Sequence, residues 1–237
     1  MKIDGNGMHF QALNDKIRTS PDRDIEVVHL LGQRYIASGL SGKNLTLRGT
    51  PGNALGSYLD GGAIEVFGNA QDGLGDTMND GEIIVHGRCG DAAGYAMRGG
   101  RILIEGDVGY RAGIHMKAYR DKVPVLVVGG RAGSFLGEYQ AGGLILVLGL
   151  GSSEPPVGDF CASGMHGGAI CLRTKTLPKL PAQVNVHLAT AEDMAKIQPH
   201  LAAYEKAFAV SPSALSGEYF VLTPSTANPY RQLYTLN

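Results

Sequence analysis

The sequence predicts an all-β chain, wound as a single-stranded right-handed parallel β-helix of about seven coils, with a short N-terminal cap and a C-terminal helical arm. Three observations carry that prediction. Glycines recur with a period of 19 residues, aliphatic side chains recur in the same register, and glycine supplies 35 of the 237 positions, about twice the ~7% usual in globular chains.

Gly49, Gly68, Gly87 and Gly106 anchor the period at steps of 19 residues. Gly130 follows after 24, Gly149 after 19 and Thr174 after 25, so two steps carry insertions of five and six residues. Further glycines keep fixed offsets from these anchors: Gly56, Gly75, Gly94, Gly113 and Gly137 at seven, and Gly62, Gly81, Gly100 and Gly143 at thirteen. Four residues before the anchors stand Leu45, Ile64, Ile83, Ile102, Leu126, Ile145 and Ile170; two before them stand Leu47, Val66, Val85, Ile104, Val128, Val147 and Leu172. A spacing of two puts both columns on one face of a strand. Small or apolar residues fill three more columns: Ala70, Cys89 and Val108; Leu55, Leu74 and Leu136; Leu59, Met78, Met97 and Met116. One such unit cannot bury its own inward face, but stacked units share a continuous core.

The arms follow different rules. Residues 10–18 read as a short helix and residues 25–31 as a strand, together capping the first coil. Thr190 with Asp193 three residues on fits a capping box. Met194, Ile197, Leu201, Tyr204 and Phe208 then keep helical spacing, with Pro199 predicting a kink or two short helices. The tail from Glu218 carries Tyr219, Phe220, Tyr230 and Tyr234, with Pro224 and Pro229, and docks either on the chain itself or on another subunit. These readings divide the chain into a cap at 1–41, a Gly-rich repeat region at 42–176 and a helix with an aromatic tail at 177–237.

Three before each anchor, on the opposite strand face, stand Thr46, Glu65, Ile84, Leu103, Val127, Leu146 and Cys171. The first coils are polar outside and the later ones apolar. That apolar stripe requires a cover, either the C-terminal helix or a partner protein. The two insertions, at 114–124 and 151–167, become loops on one face, which in repeat proteins is often the binding face. His115, Lys117, Tyr119, Arg120, Met165 and His166 in them are the candidate partner-contact residues.

Composition excludes several classes. Charged residues are 18% and the net charge is −1, which offers no electrostatic attraction to nucleic acid or an anionic membrane. Three cysteines, Cys89, Cys161 and Cys171, are too few and too irregular for a disulfide framework or a zinc site. No leader pattern opens the chain, and the longest apolar run, 144–150, is far short of the ~20 residues that cross a bilayer. The chain reads as soluble, reduced and cytoplasmic.

Catalytic patterns are sparse. No phosphate-binding Gly-x4-Gly-Lys-Ser/Thr occurs, and residues 149–154 lack the third glycine of a dinucleotide fingerprint. The seven histidines, His86 and His115 among them, do not cluster at ligand spacing, and Cys89 falls in an inward column. Asp72 and Asp91 stand one repeat apart, ~4.8 Å if stacked, close to the ~5–5.5 Å of a retaining glycosidase pair. The same position follows a turn glycine, where Asp and Asn are common for backbone reasons. No catalytic, cofactor-binding or metal-ligating residue is assigned, and no cofactor is expected.

The repeats Gly68-Asn-Ala-Gln-Asp-Gly-Leu-Gly75, Gly87-Arg-Cys-Gly-Asp-Ala-Ala-Gly94, Gly106-Asp-Val-Gly-Tyr-Arg-Ala-Gly113 and Gly130-Arg-Ala-Gly-Ser-Phe-Leu-Gly137 resemble the Gly-rich (GXGXG) domain that ends the large subunit of glutamate synthase. Gly113-Ile-His-Met-Lys117 and Gly164-Met-His-Gly-Gly168 are similar to it too. The same domain type forms one of the subunits of formylmethanofuran dehydrogenase. The likeness is specific over 42–174 and looser in the arms. The chain departs from the large subunit in starting Met1-Lys2, with no cysteine before Cys89 to serve as an N-terminal nucleophile and no cysteine cluster for an iron–sulfur centre. The resemblance implies a separately encoded scaffold subunit without activity of its own. Its partners would be an amidotransferase and an FMN/iron–sulfur synthase subunit, with a route for ammonia between them, and a homo-oligomer is compatible with it. Two alternatives stand beside this expectation: a scaffold subunit of a formylmethanofuran dehydrogenase-like complex, and a carbohydrate-active β-helix enzyme.

Overall fold

Inward-facing aliphatic columns build the strands. In the computed structural model, which describes residues 1–226, they pair as the period requires. The strands are β1 (Lys2–Asp4), β2 (Asp24–Leu31), β3 (Asn44–Thr50), β4 (Asp60–Phe67), β5 (Asp80–Val85), β6 (Arg101–Ile104), β7 (Val125–Val128), β8 (Ala141–Val147), β9 (Gly167–Arg173), β10 (Val184–Leu188) and β11 (Tyr219–Pro224). Helix α1 spans Phe10–Thr19 and helix α2 spans Ala191–Phe208. Leu45 pairs with Ile64, Ile64 with Ile83, Ile83 with Ile102, and so on through Leu126 and Ile145 to Ile170. The expected register therefore holds at every step, including both insertions, and β2 adds Ile25 and Val27 to the same columns.

The fold class does not hold. The strands form one mixed sheet of eleven, in the order β1-β2-β3-β4-β5-β6-β7-β8-β9-β11-β10, with two α-helices, and not an all-β single-stranded parallel β-helix. Nine strands run parallel in chain order, but β11 is antiparallel to both β9 and β10. The reason is local. A 19-residue unit holds one strand and its return connection, so each strand meets its next copy in parallel. Beyond Thr174 the repeat stops, α2 intervenes between β10 and β11, and β11 returns reversed.

The inward columns are fully packed: Ile83, Val85, Ile102, Ile104, Leu126, Val128, Ile145, Val147, Ile170 and Leu172 are completely buried. The connections between strands are also tied to one another. Ala70, Cys89, Val108, Ala132 and Val157 form a second row of parallel bridges, and the amides of Gly75, Gly94, Gly113 and Gly137 each donate to a carbonyl one repeat earlier. The column Leu59, Met78, Met97, Met116 continues through Gln140 and Met165, all buried. Gln140 is the polar member. Its Nε2, with two hydrogens to give, lies 3.2, 3.2 and 3.4 Å from the carbonyl oxygens of Gly142, Gly143 and Ala169, linking β8 to β9 across the second insertion.

Helix α2 covers the apolar outer stripe. Ile197, Leu201 and Tyr204 are buried with Leu103, Val127, Leu146 and Cys171 in a second hydrophobic cluster on the outer sheet face. The helix is continuous through Pro199, so the two-helix expectation is not realised. Burial of Ile197, Leu201 and Tyr204 on either side of the proline outweighs the one hydrogen bond it removes, about 3 kcal/mol in a bare helix. No helix among the described residues is long and apolar enough to cross a membrane. Tyr219 and Phe220 dock on the chain's own sheet as part of β11. Tyr230, Tyr234 and Pro229 lie outside the described residues.

The capping box at Thr190 is formed: the Thr190 hydroxyl accepts from the Asp193 amide at 3.2 Å, and Asp193 Oδ2 accepts from the Thr190 amide at 2.9 Å. Hydrogen bonds from the Thr190 hydroxyl and amide, then from His187, hold the Asp193 carboxyl down at about 2, below its ordinary 3.8. A depressed carboxylate stabilises the fold above its unfolded pKa, and that contribution is lost as pH falls through the folded value. Acid titration followed by circular dichroism should therefore show helix loss between pH 3.8 and about 2. Asp193→Asn keeps the Thr190 cap but loses the carboxylate, so it should shrink that step and lower stability at neutral pH by about 0.5–1.5 kcal/mol, the net worth of one hydrogen bond.

Candidate functional site

The cysteines and paired acids are the reactive groups to weigh first. Burial pushes the thiols of Cys89, Cys161 and Cys171 up to about 12, so none is a thiolate at neutral pH and none is poised as a nucleophile. Among the described residues no group of three His, Cys, Asp or Glu side chains is placed to hold a metal ion. The Asp72–Asp91 pair has a backbone use. Asp72 Oδ1 accepts from the Asp91 amide at 2.9 Å, and Asp91 Oδ1 accepts from the Tyr110 amide at 2.8 Å. Asn69 and Asp107 do the same for Arg88 and Arg131. Each side chain staples the next repeat. Glycine opposite leaves room for the staple, because a Cβ at Gly90 or Gly109 would lie 2.1 or 2.0 Å from the accepting oxygen and push that side chain off the amide.

What remains is surface. The first insertion is a tight hairpin whose two backbone hydrogen bonds, both 3.0 Å, join Tyr119 and Lys122. Lys122 reaches back to Asp80 at 2.8 Å and Asp60 at 3.6 Å, anchoring the hairpin over two earlier repeats. The Arg120 guanidinium sits 5.1 Å over the Tyr119 ring. Asp60, Arg98 and the hairpin enclose a cleft of about 270 Å³. The second insertion follows Gly149, beyond the end of β8, and the chain returns to the row of bridges between connections at Val157, which pairs with Ala132. Arg131 pairs with Glu154 across it at 3.1 Å.

Of the sequence-predicted contact residues, His115, Lys117, Tyr119 and Arg120 are exposed and His166 is half-buried. Met165 is a correction: it is completely buried in the Leu59–Met78–Met97–Met116 column and cannot touch a partner. The insertion shifts the register by six residues, so Met165, which reads as loop, lands in a core column.

Between the insertions runs a feature that sequence reading missed. His115 stacks on Tyr139 with centroids 5.2 Å apart and planes at 13°, and Tyr95 meets His115 edge-on at 5.9 Å. One column over, Phe135 stacks on Phe160 at 4.9 Å and 17°, and the Arg111 guanidinium caps Phe135 at 4.9 Å. Phe160 is 58% exposed. Arg111 also pairs with Glu138 at 3.4 Å, tying the two columns together. Arg111, Phe135 and Phe160 have φ of 57, 64 and 60°, and His115 and Tyr139 have 56 and 55°. A bulky residue in this left-handed region is unusual. Earlier repeats place Tyr35, Ala54, Gly73 and Ala92 in the first of these columns, and Tyr58, Thr77 and Ala96 in the second. The signal was in the sequence, five and nine residues after each anchor, but becomes visible only when both insertions are removed from the register.

Comparison with known proteins agrees with the repeat. The family model described as the GXGXG motif matches residues 22–213. An uncharacterized protein of Methanocaldococcus jannaschii is 43% identical over 249 aligned positions, covering 98% of this chain and 95% of the relative.

Proposed function

The chain belongs to the GXGXG motif family, and from that premise we propose that it is a non-catalytic structural subunit of a glutamate synthase-like complex, bracing an amidotransferase and an FMN/iron–sulfur synthase subunit. The observation that carries this reading is the aromatic ladder of Arg111, Phe135 and Phe160 beside His115 and Tyr139. The left-handed backbone belongs to the turn in every repeat, at Ala54, Thr77 and Ala96 as at Phe135, so what sets this surface apart is the run of stacked rings it carries. Ala54, Gly73 and Ala92 fill the first column in the three repeats before Arg111, so those turns form without a large side chain there. Stacked aromatics and arginine offer large, rigid contact area and are enriched in protein interfaces. His115, Lys117, Tyr119, Arg120 and His166 extend the surface along the two insertions. Because side chains fill the inward columns, any ammonia route this subunit borders would run against its outer face.

The reading is tested on the purified full chain. Incubated with glutamine it should release no ammonia, titrated with FMN it should leave the flavin fluorescence unchanged, and offered neutral and acidic glycans it should cleave none. Asp72→Asn and Asp91→Asn are informative controls, because asparagine keeps the accepting oxygen that staples the next repeat, as Asn69 does already. Glycan turnover that disappears in either variant would overturn the scaffold reading in favour of a carbohydrate-active enzyme.

A further inference from the structure

Among the described residues the sheet has two edges, β1 and β10. Strand β1 is only three residues long, and its Lys2 pairs with Glu26. Strand β10, Val184-Asn-Val-His-Leu188, has no proline, lysine, arginine or carboxylate, the residues with which edge strands are usually blunted. It is also where the inner apolar layer runs out. Val186 lies opposite Leu222 and Leu188 opposite Phe220. Leu222 is completely buried in the main core with Ile170 and Leu172, whereas Val186 is 40% and Leu188 54% exposed.

The backbone of β10 points the same way. Gln183 accepts from the Ser225 amide at 2.9 Å and Ala189 donates to the Tyr219 carbonyl at 2.7 Å. In an antiparallel ladder the bonding residues alternate, so the odd-numbered residues face β11. The N–H and C=O of Val186 and Leu188, and the C=O of Val184, face outward, while the Val184 amide is taken by Pro181 at 3.1 Å.

We propose that β10 pairs antiparallel with β10 of a second copy of this chain, about a two-fold axis through Val186, joining two sheets into one. The strand is complementary to itself in that register. Val186 faces Val186 and Val184 faces Leu188, so the exposed apolar row of each copy is covered by the other. Asn185 faces His187 on the opposite side. The 185–187 pairs are the non-hydrogen-bonded ones, whose side chains approach most closely, ~4.5 Å between Cα atoms. His187 Nε2 already meets Asp193 at 3.0 Å, which leaves Nδ1 for the Asn185 amide of the second copy. The contact is isologous, as closed two-fold dimers require. It uses β10 alone and is independent of the aromatic ladder and of the function proposed for it.

Sedimentation of the full chain over a wide concentration range tests this. The wild type should reach twice the 24.9 kDa chain mass, and Val186→Lys should stay at the single-chain mass. Leu31→Lys, on another exposed residue, should dimerise as the wild type does. Val186→Cys covers the case in which the lysine variant misfolds. Facing Cα atoms of a hydrogen-bonded pair are ~5.5 Å apart, within the ~4.4–6.8 Å span of a disulfide. Mild oxidation should therefore link Val186→Cys into dimers and leave Asn185→Cys unlinked; the native cysteines are buried and silent. A wild type of single-chain mass at every concentration would overturn the proposal, as would a dimer that survives Val186→Lys while Val186→Cys fails to link. Protection of β10 from hydrogen exchange only when a different polypeptide is added would also overturn it, and would give the edge to that polypeptide.

Discussion

Replacing Tyr204 with alanine should lower the stability of the chain by about 3–5 kcal/mol, the range for emptying a fully buried aromatic site. Tyr204 is completely buried, packs against Phe208 with centroids 4.6 Å apart and donates its hydroxyl to the Glu105 carbonyl at 3.0 Å. It is the residue by which α2 grips the outer stripe. Gly129 makes room for it: a Cβ there would sit 1.8 Å from the Tyr204 hydroxyl oxygen. Removing the ring leaves a cavity over Leu103, Val127 and Leu146 and weakens the cover of an apolar face. Urea unfolding should show the loss of stability, and limited proteolysis should show faster cleavage within α2. Tyr204→Phe keeps the packing and should cost only about 1 kcal/mol, the ordinary worth of one hydrogen bond. If the alanine variant unfolds like the phenylalanine variant, α2 is not what covers the stripe.

The second large effect separates two adjacent glycines in β4. Gly61 and Gly62 have φ of 102 and 91°, where an L-residue is strained. Around Gly61 there is open space, so Gly61→Ala should cost only that strain, about 1–3 kcal/mol. At Gly62 a Cβ would lie 2.1 Å from the backbone oxygen of Lys43, the same oxygen that accepts from the Ala63 amide at 3.2 Å. Backbone cannot rotate aside as a side chain can, so β3 and β4 would have to part. Gly62→Ala should therefore cost about 3–5 kcal/mol, adding overpacking and a weakened hydrogen bond to the strain. Equal denaturation midpoints for the two variants would show that φ alone, and not the approach of neighbouring repeats, selects glycine in this column.

Much of this architecture is legible in the sequence because repetition makes each column its own control. Seven successive aliphatic residues from Leu45 to Ile170 leave one workable register, and the pairing follows it. The need for a cover over Leu103, Val127 and Leu146 was readable too, but the sequence left open whether α2 or a partner supplies it. The packing of Ile197, Leu201 and Tyr204 gives it to α2. The sheet class was not readable, because β10 and β11 lie outside the repeat and no period describes their reversal. Pro199 misled for a related reason: propensity is local, whereas Ile197, Leu201 and Tyr204 are held by tertiary burial. Met165 and the Phe135–Phe160 ladder were hidden by the insertions, which displace each from the column it occupies. The stapling role of Asp72 and Asp91 needed coordinates, because an acid that caps a neighbouring amide and an acid that attacks a sugar are the same letter.

The central claim is that this chain works by holding other chains, and what it carries from the cell tests that most directly. Tagged at the N-terminus and isolated from its native host, the wild type should bring an amidotransferase and an FMN/iron–sulfur synthase subunit in fixed ratio, identified by mass. Phe160→Ser with Arg111→Ala should reduce their recovery by roughly tenfold or more, the effect of removing a contact worth about 1.4 kcal/mol. Recovery of this chain alone, or of the same partners undiminished by the double variant, would contradict the account.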